Sequence, residues 1–320
     1  MNPSVIITID TEPDNQWAHD GRELTFANTR GLGRFVEFLH RLGAPATYLT
    51  SYSVARDPES VRVLRDAHAA GDEIGGHLHG WETPPLTAAD ARAHSYIYEY
   101  DPDVRRAKLE AMTSAVADAF GVQPVSYRAG RWGLDDTEVQ NLCDLGYRYD
   151  TSVVAGHDFS ASRGFAKPGP NFRHHLQGTP PQPYRLGGLY EVPVSVTTLG
   201  VLGGGSVGAA LARTFAHRPA RTRRAVSKLM QRAGVCRMVW VRPLKHPRAD
   251  LVAAALQLVR RGARIINVMT HSSECFPGTA PHTRDENDLR RLMGDFEAVV
   301  NAVREVGGTP RTLSDALAAG

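Results

Sequence analysis

Short apolar runs alternate with amphipathic stretches along most of this chain. Val5-Ile6-Ile7-Thr8-Ile9 is rich in β-branched residues without a polar alternation, which predicts a strand covered on both faces. Leu32, Phe35, Val36, Leu39 and Leu42 then recur at helical spacing, with Gly43 as the stop signal. Thr47-Tyr48-Leu49 reads as the next strand, Val61 and Leu64 lie on a short helix ended by Gly71, and Glu73-Ile74-Gly75 leads into a histidine-rich turn. Leu109, Met112, Val116 and Phe120 mark a longer helix, Val125-Ser126-Tyr127 a strand, and Val139 to Leu145 a helix closed by Gly146. Near the other end, Ile265 to Met269 predicts a strand, and Leu289, Leu292, Phe296, Val299 and Val303 mark the helix after it.

Repeated strand-then-helix units predict a (β/α) barrel or a doubly wound sheet. In a barrel, polar side chains at the C-terminal strand ends converge on one mouth. The unusual polar residues do follow the strands directly, at Asp10 and Glu12, His77 and His79, Arg128, Asp150 and His271. The interval 155–249, rich in Gly and Pro, interrupts the alternation and reads as an insertion over the mouth of a single domain spanning 1–320. No internal repeat is evident.

Composition narrows the classes. A chain of 320 residues, 42% hydrophobic and 22% charged, can bury one substantial core. No apolar stretch of about 18 residues suits a membrane span, and the start lacks a basic segment followed by a long apolar run, so a soluble, cytoplasmic protein without stable membrane insertion is expected. Cys143, Cys236 and Cys275 are odd in number and widely separated, which argues for free thiols rather than a disulfide framework. Formal charge is only +3, yet Val192 to Ala249 holds eleven Arg or Lys residues and no acid, among them Arg213, Arg218, Arg221, Arg223, Arg224, Lys228 and Arg232. That basic run is either a solvated helix or a contact for a phosphate-bearing substrate. Phe215 and Trp240 are too few aromatics to suggest nucleic-acid binding. Gly203-Gly204-Gly205-Ser206-Val207-Gly208 fits a dinucleotide fingerprint formally, but no Asp or Glu within the next forty residues could hold a ribose, so a loop is expected there.

The chemistry-bearing residues gain weight together. Asp10, Glu12 and Asp14 place three carboxylates beyond a buried strand; alone, such a cluster is as well explained by a turn. His77 and His79, two apart in an extended segment, can point to one side and reach one ion. Two imidazoles and a carboxylate suit zinc, with cobalt, nickel, manganese and iron as other divalent candidates, and leave positions open for water and substrate. Arg128 cannot lose its proton and is suited to orient a carboxylate and hold it ionised. His271 ends the late strand with a residue able to give up a proton near neutral pH.

In this order the residues resemble the NodB-homology polysaccharide deacetylases, carbohydrate esterase family four, from Val5 to about Ser152 and again from Tyr190 to the end. The resemblance implies a distorted (β/α) barrel and a metal-dependent amide hydrolase that removes an N-acyl group, in the first instance N-acetyl, from an amino-sugar-type small molecule. Thr8-Ile9-Asp10-Thr11-Glu12 is similar to the first motif, implying Asp10 as general base and Glu12 as a metal ligand. Asp72 to His77 is similar to the second, which usually carries histidines four apart; Trp81 stands at the fourth position here, and His79 is the nearby substitute. Arg128 matches the arginine that braces the base, and Met269-Thr270-His271-Ser272 matches the last motif, implying His271 as general acid. Trp81, Arg131, Trp132 and Asp150 are expected at the substrate pocket. Hydrolysis of another linear or cyclic amide, and non-catalytic carbohydrate binding, are the competing readings; the intact set of Asp10, Arg128 and His271 speaks against the latter.

Overall fold

The computed structural model describes residues 2–17, 23–86, 90, 95–172, 182–200 and 237–318. Its main sheet is built from β1 (Ser4–Thr11), β2 (Ala46–Thr50), β3 (Glu73–Leu78), β4 (Ser126–Ala129), β5 (Tyr149–Asp150), β6 (Tyr184–Leu186) and β7 (Leu189–Glu191), while β8 (Val196–Leu199) and β9 (Arg237–Trp240) form a separate antiparallel ribbon. The chain returns to the sheet with β10 (Ile265–His271) and β11 (Thr309–Arg311). Spatial order is β10-β1-β2-β3-β4-β5-β7-β6, with β11 also against β1, and every pairing along it is parallel except the β6–β7 hairpin. Beyond β7 the backbone N–H of Ser195 bonds to the Asn267 carbonyl on β10, so the sheet curls round toward itself without a regular closing ladder. The result is a distorted (β/α) barrel, one of the two architectures that the alternation allows and the one that the resemblance implies.

Helices Gly33–Arg41, Pro58–Ala69, Pro102–Phe120, Asp136–Asp144, Arg248–Arg260 and Glu286–Glu305 supply the outer layer. Strand periodicity explains the division of β1. Val5, Ile7 and Ile9 pack outward into the large cluster that includes Phe35, Leu39, Leu64, Leu292 and Phe296. Ile6 points the other way, into a small apolar plug with Tyr149, Val192, Ile265 and Leu313 at the base of the barrel. Thr8 and Asp10 continue that inner row, and their partners are polar. Thr8 Oγ1 donates to Asn267 Oδ1 at 2.8 Å, and Asn267 Nδ2 donates to Thr151 Oγ1 at 2.8 Å. The barrel interior therefore changes from apolar to hydrogen-bonded one layer below the mouth, where each buried polar atom needs a partner.

Several elements run longer than their apolar pattern suggests. The strand after Gly71 extends through Leu78, so His77 is a strand residue and not part of a turn. Within 155–249, β6 and β7 join the main sheet and β8–β9 stand beside it. The glycine cluster 203–208, Cys236 and the seven cations from Arg213 to Arg232 lie outside the described residues. Cys143 and Cys275 are free thiols. No described helix is long and apolar enough to cross a membrane.

Candidate metal centre and catalytic pair

Parallel register brings the predicted residues to one place. Asp10 on β1 is the register partner of His271 on β10, and His77 on β3 is the register partner of Arg128 on β4. Glu12 follows Asp10 by two positions, as His79 follows His77, and the period of two keeps each second residue on the face of the first. Glu12, His77 and His79 are buried, and one donor atom from each lies within 4.8 Å of the others. The Glu12 carboxylate oxygen Oε2 is 2.9 Å from His79 Nε2 and 3.4 Å from His77 Nε2, and the two Nε2 atoms are 3.0 Å apart.

This donor set fits a divalent cation. His77 Nδ1 lies 2.9 Å from the Arg128 carbonyl oxygen, which can only accept, so Nδ1 carries the hydrogen and the Nε2 lone pair faces the centre. A ligating histidine tied in this way to a backbone carbonyl is the usual outer support of a metal site. Two imidazoles and one carboxylate match a catalytic zinc-type site with open positions. Gly130 makes the arrangement possible: a Cβ there would come within 2.3 Å of the Leu78 carbonyl oxygen and 2.5 Å of His79 Nδ1. Electrostatics separates the three groups. Burial works against ionising Glu12, but hydrogen bonds with His77 and His79 outweigh it and hold the carboxyl well below its usual range. Burial pulls His79 down to about 4, with Glu12 opposing; for His77 it is outweighed by Asp10 and Glu12, which leave that ring above its ordinary value.

Asp10, the candidate base, stands beside this triad. Arg128 is fully buried, and its Nη1 donates to Asp10 Oδ1 at 2.5 Å. Its Nε donates to the Thr151 carbonyl at 2.9 Å, and its Nη2 to Thr151 Oγ1 at 3.1 Å and Thr8 Oγ1 at 2.8 Å. Burial alone would raise Asp10; Arg128, helped by His77 and His271, brings it below its ordinary value. Its second oxygen, Oδ2, faces His271 Nε2 at 3.6 Å.

The expected pocket residues divide. Trp81 lies with its ring 4.3 Å from that of His79 and 5.3 Å from Trp17, forming an aromatic wall on the metal side. Trp132 forms the other wall, 5.5 Å from Trp240 and beneath the Arg128 guanidinium at 5.3 Å. It is aimed there by a turn in which Arg131 and Trp132 both adopt positive φ, 56° and 65°, a cost that bulky residues accept only where the surroundings impose it. Arg131 turns away, stacking on Tyr96 and donating to the Arg163 carbonyl at 2.8 Å. Asp150 is buried below the mouth, accepting from Ser152 N and Oγ at 2.9 and 2.7 Å beside Glu191. Three participants escaped the sequence reading. Asn267 and Thr151 anchor the Arg128 network, and Arg242 lies 2.7 Å from His271 Nδ1. The acid-free stretch that contains Arg242 was the available signal.

No family model matches the sequence, and no curated protein matches it. Among solved structures, the chain is similar to a candidate polysaccharide deacetylase from Mycobacterium smegmatis, with 16% identity and a TM-score of 0.50 over 98% of this chain and 89% of that one. It also matches the Xyl-CE4 domain of a multidomain xylanase from the hindgut metagenome of Trinervitermes trinervoides, at 11% identity and a TM-score of 0.46 over 100% and 91% of the two chains. A polysaccharide deacetylase from Bacillus cereus aligns at 12% identity and a TM-score of 0.43 over 97% and 92%. The first of these likenesses establishes the fold, the distorted barrel on which such deacetylases are built.

Proposed function

We propose that the chain is a metal-dependent amide hydrolase of the polysaccharide deacetylase type, removing an N-acyl group, in the simplest case acetyl, from an amino sugar or a sugar-containing metabolite. The observation that carries this reading is the convergence on one mouth of an arginine-held carboxylate, a histidine and a separate Glu/His/His triad. A divalent ion held by Glu12, His77 and His79 would polarise the acyl carbonyl and acidify water. Asp10 is placed to take the proton of the attacking water, and Arg128 keeps it ionised until it does. His271 faces the same space from β10 and donates a hydrogen bond to the reacting group. Trp81, against the His79 ring, and Trp132, beside Arg128, are the aromatic side chains proposed to meet the sugar.

The deciding experiment combines metal analysis with a panel of N-acylated amino sugars, free and phosphate-linked. The reading expects about one divalent ion per chain, loss of activity on chelation with recovery on adding zinc, and reduced metal occupancy in His79→Ala. Full occupancy in that variant would remove His79 from the site. A chain that binds the sugars with its metal in place but releases no acyl group would be a carbohydrate-binding relative.

A further inference from the structure

The geometry points to Arg242 as the residue that sets the tautomer of His271, so that the ring enters the reaction as a neutral Nε2–H donor and the leaving nitrogen receives its proton from Asp10. This rests on the amide-hydrolase reading and specifies the proton path within it. It replaces the expectation that His271 itself is the acid.

Arg242 Nη2 lies 2.7 Å from His271 Nδ1. A guanidinium offers donors only and keeps its charge, so the bond has one direction: Nδ1 accepts with its lone pair. The single hydrogen of the neutral ring is then on Nε2. An imidazolium would set N–H against N–H and lose this bond.

Glu274 is the competing partner, because a carboxylate beside Nδ1 would favour the opposite tautomer. Its Oε2 is 3.5 Å from Nδ1, longer than a hydrogen bond, and its oxygens are committed elsewhere. They accept from Arg242 Nη2 at 3.0 and 3.1 Å, from Thr270 Oγ1 at 2.9 Å and from the His271 backbone N–H at 3.1 Å. Glu274 thus secures Arg242 rather than the ring, and its own carboxyl stays well below the usual range despite burial because the Arg242 guanidinium is beside it. The charged groups around the ring are Asp10 on β1, Glu274 and Arg242 at close range, Glu12 beyond Asp10, and Lys245 behind Arg242. Arg242 is only 11% exposed, lies beside the Trp240 ring at 5.2 Å, and is therefore a fixed donor.

Proton accounting follows. Water gives one proton to Asp10 as its oxygen bonds to the acyl carbon, and the carbonyl electron pair moves onto oxygen. His271 Nε2–H donates a hydrogen bond to the developing charge without releasing its proton, since a neutral imidazole that did so would become an anion. When the carbon–nitrogen bond breaks, the proton held by Asp10 passes to nitrogen, Asp10 is again a carboxylate, and the products are the acid and the free amine. A single carboxyl serves as base and then as acid, and Nε2 stays protonated throughout.

Two-bond nitrogen–proton correlation spectra of the 15N-labelled, zinc-loaded protein read the tautomer without substrate. The expected result at neutral pH is a neutral His271 with its hydrogen on Nε2. Arg242→Lys, which still offers only donors, keeps that signature, while Arg242→Gln moves the ring toward the Nδ1–H form. A wild-type His271 that carries hydrogen on Nδ1, alone or on both nitrogens, overturns the inference, as does an Arg242→Gln spectrum unchanged from wild type. If the tautomer is found but no amide is cleaved, only the hydrolase reading fails; if amides are cleaved by a protein whose His271 is Nδ1–H, only this inference fails.

Discussion

Asp10 and Glu12 share a strand end, a face and nearly complete burial, yet their surroundings make them different chemical groups. Asp10 answers to a guanidinium, which keeps its charge; Glu12 answers to two imidazoles, His77 and His79. A carboxylate against a permanent cation is kept ionised, which suits a base. One set against two imidazoles suits a cation site. Position along the chain does not separate the two surroundings. What separates them is which strand lies across the barrel from each.

The sharpest way to break the comparison is to remove what holds Asp10. Arg128→Met leaves a buried carboxylate without its counter-charge and takes one donor from each of Thr8 Oγ1 and Thr151 Oγ1, and a loss of about 3–5 kcal/mol of stability is expected from breaking such a buried pair. Chemical denaturation measures it; a loss under 1 kcal/mol would mean that the pair is not structurally fixed. Next in size are the carboxylates themselves. Asp10→Asn should lower turnover by roughly two to four orders of magnitude, the usual worth of a positioned base, and leave metal content unchanged. Glu12→Gln should instead weaken metal binding by at least about tenfold, since even outer-shell changes cost 10–100-fold. If Asp10→Asn loses the metal while Glu12→Gln keeps it, the two assignments must be exchanged.

How much of this was legible in sequence follows the same physics. The barrel was readable because β1, β2 and β10 are apolar enough to declare themselves, and Asp10, His77, Arg128 and His271 because they fall directly after such runs. The short strands β5, β6 and β11 were not, because two or three residues carry no period. The length of β3 was misjudged for another reason: its inward face is polar at His77, so the apolar pattern ends before the strand does. Arg242 was hidden in a run of cations whose neutralising partners lie elsewhere in the chain. Of the four described members of that run, Arg237 meets Asp250, Arg242 meets Glu274 and Arg248 meets Asp295. An acid-free stretch of sequence is thus not an unpaired patch in space, and three of the cations counted toward phosphate recognition are engaged with carboxylates.

A second Asp–Arg pair, near the surface, supplies the control for the first. Asp57 caps the helix Pro58–Ala69 by accepting from Ser60 N at 3.0 Å and meets Arg30 Nε at 3.1 Å, but the Arg30 side chain is 45% exposed, so solvent screens the charge term. Asp57→Ala should therefore cost about 1 kcal/mol, the usual worth of an N-cap, and leave turnover and metal content unchanged. The pH dependence has a definite sign. Arg30, opposed by partial burial and helped by Ser60, lowers Asp57 from 3.8 to about 2. A carboxyl depressed on folding stabilises the folded chain above its unfolded value and loses that contribution as pH falls through its folded one, because the unfolded chain takes up the proton first. The stability gap between wild type and Asp57→Ala should hold constant from pH 7 down to about 5 and narrow progressively between about 4 and 2. Denaturant titrations across that range test it; a gap that widens toward low pH would mean that the helix cap, and not the charge pair, depends on a protonated Asp57.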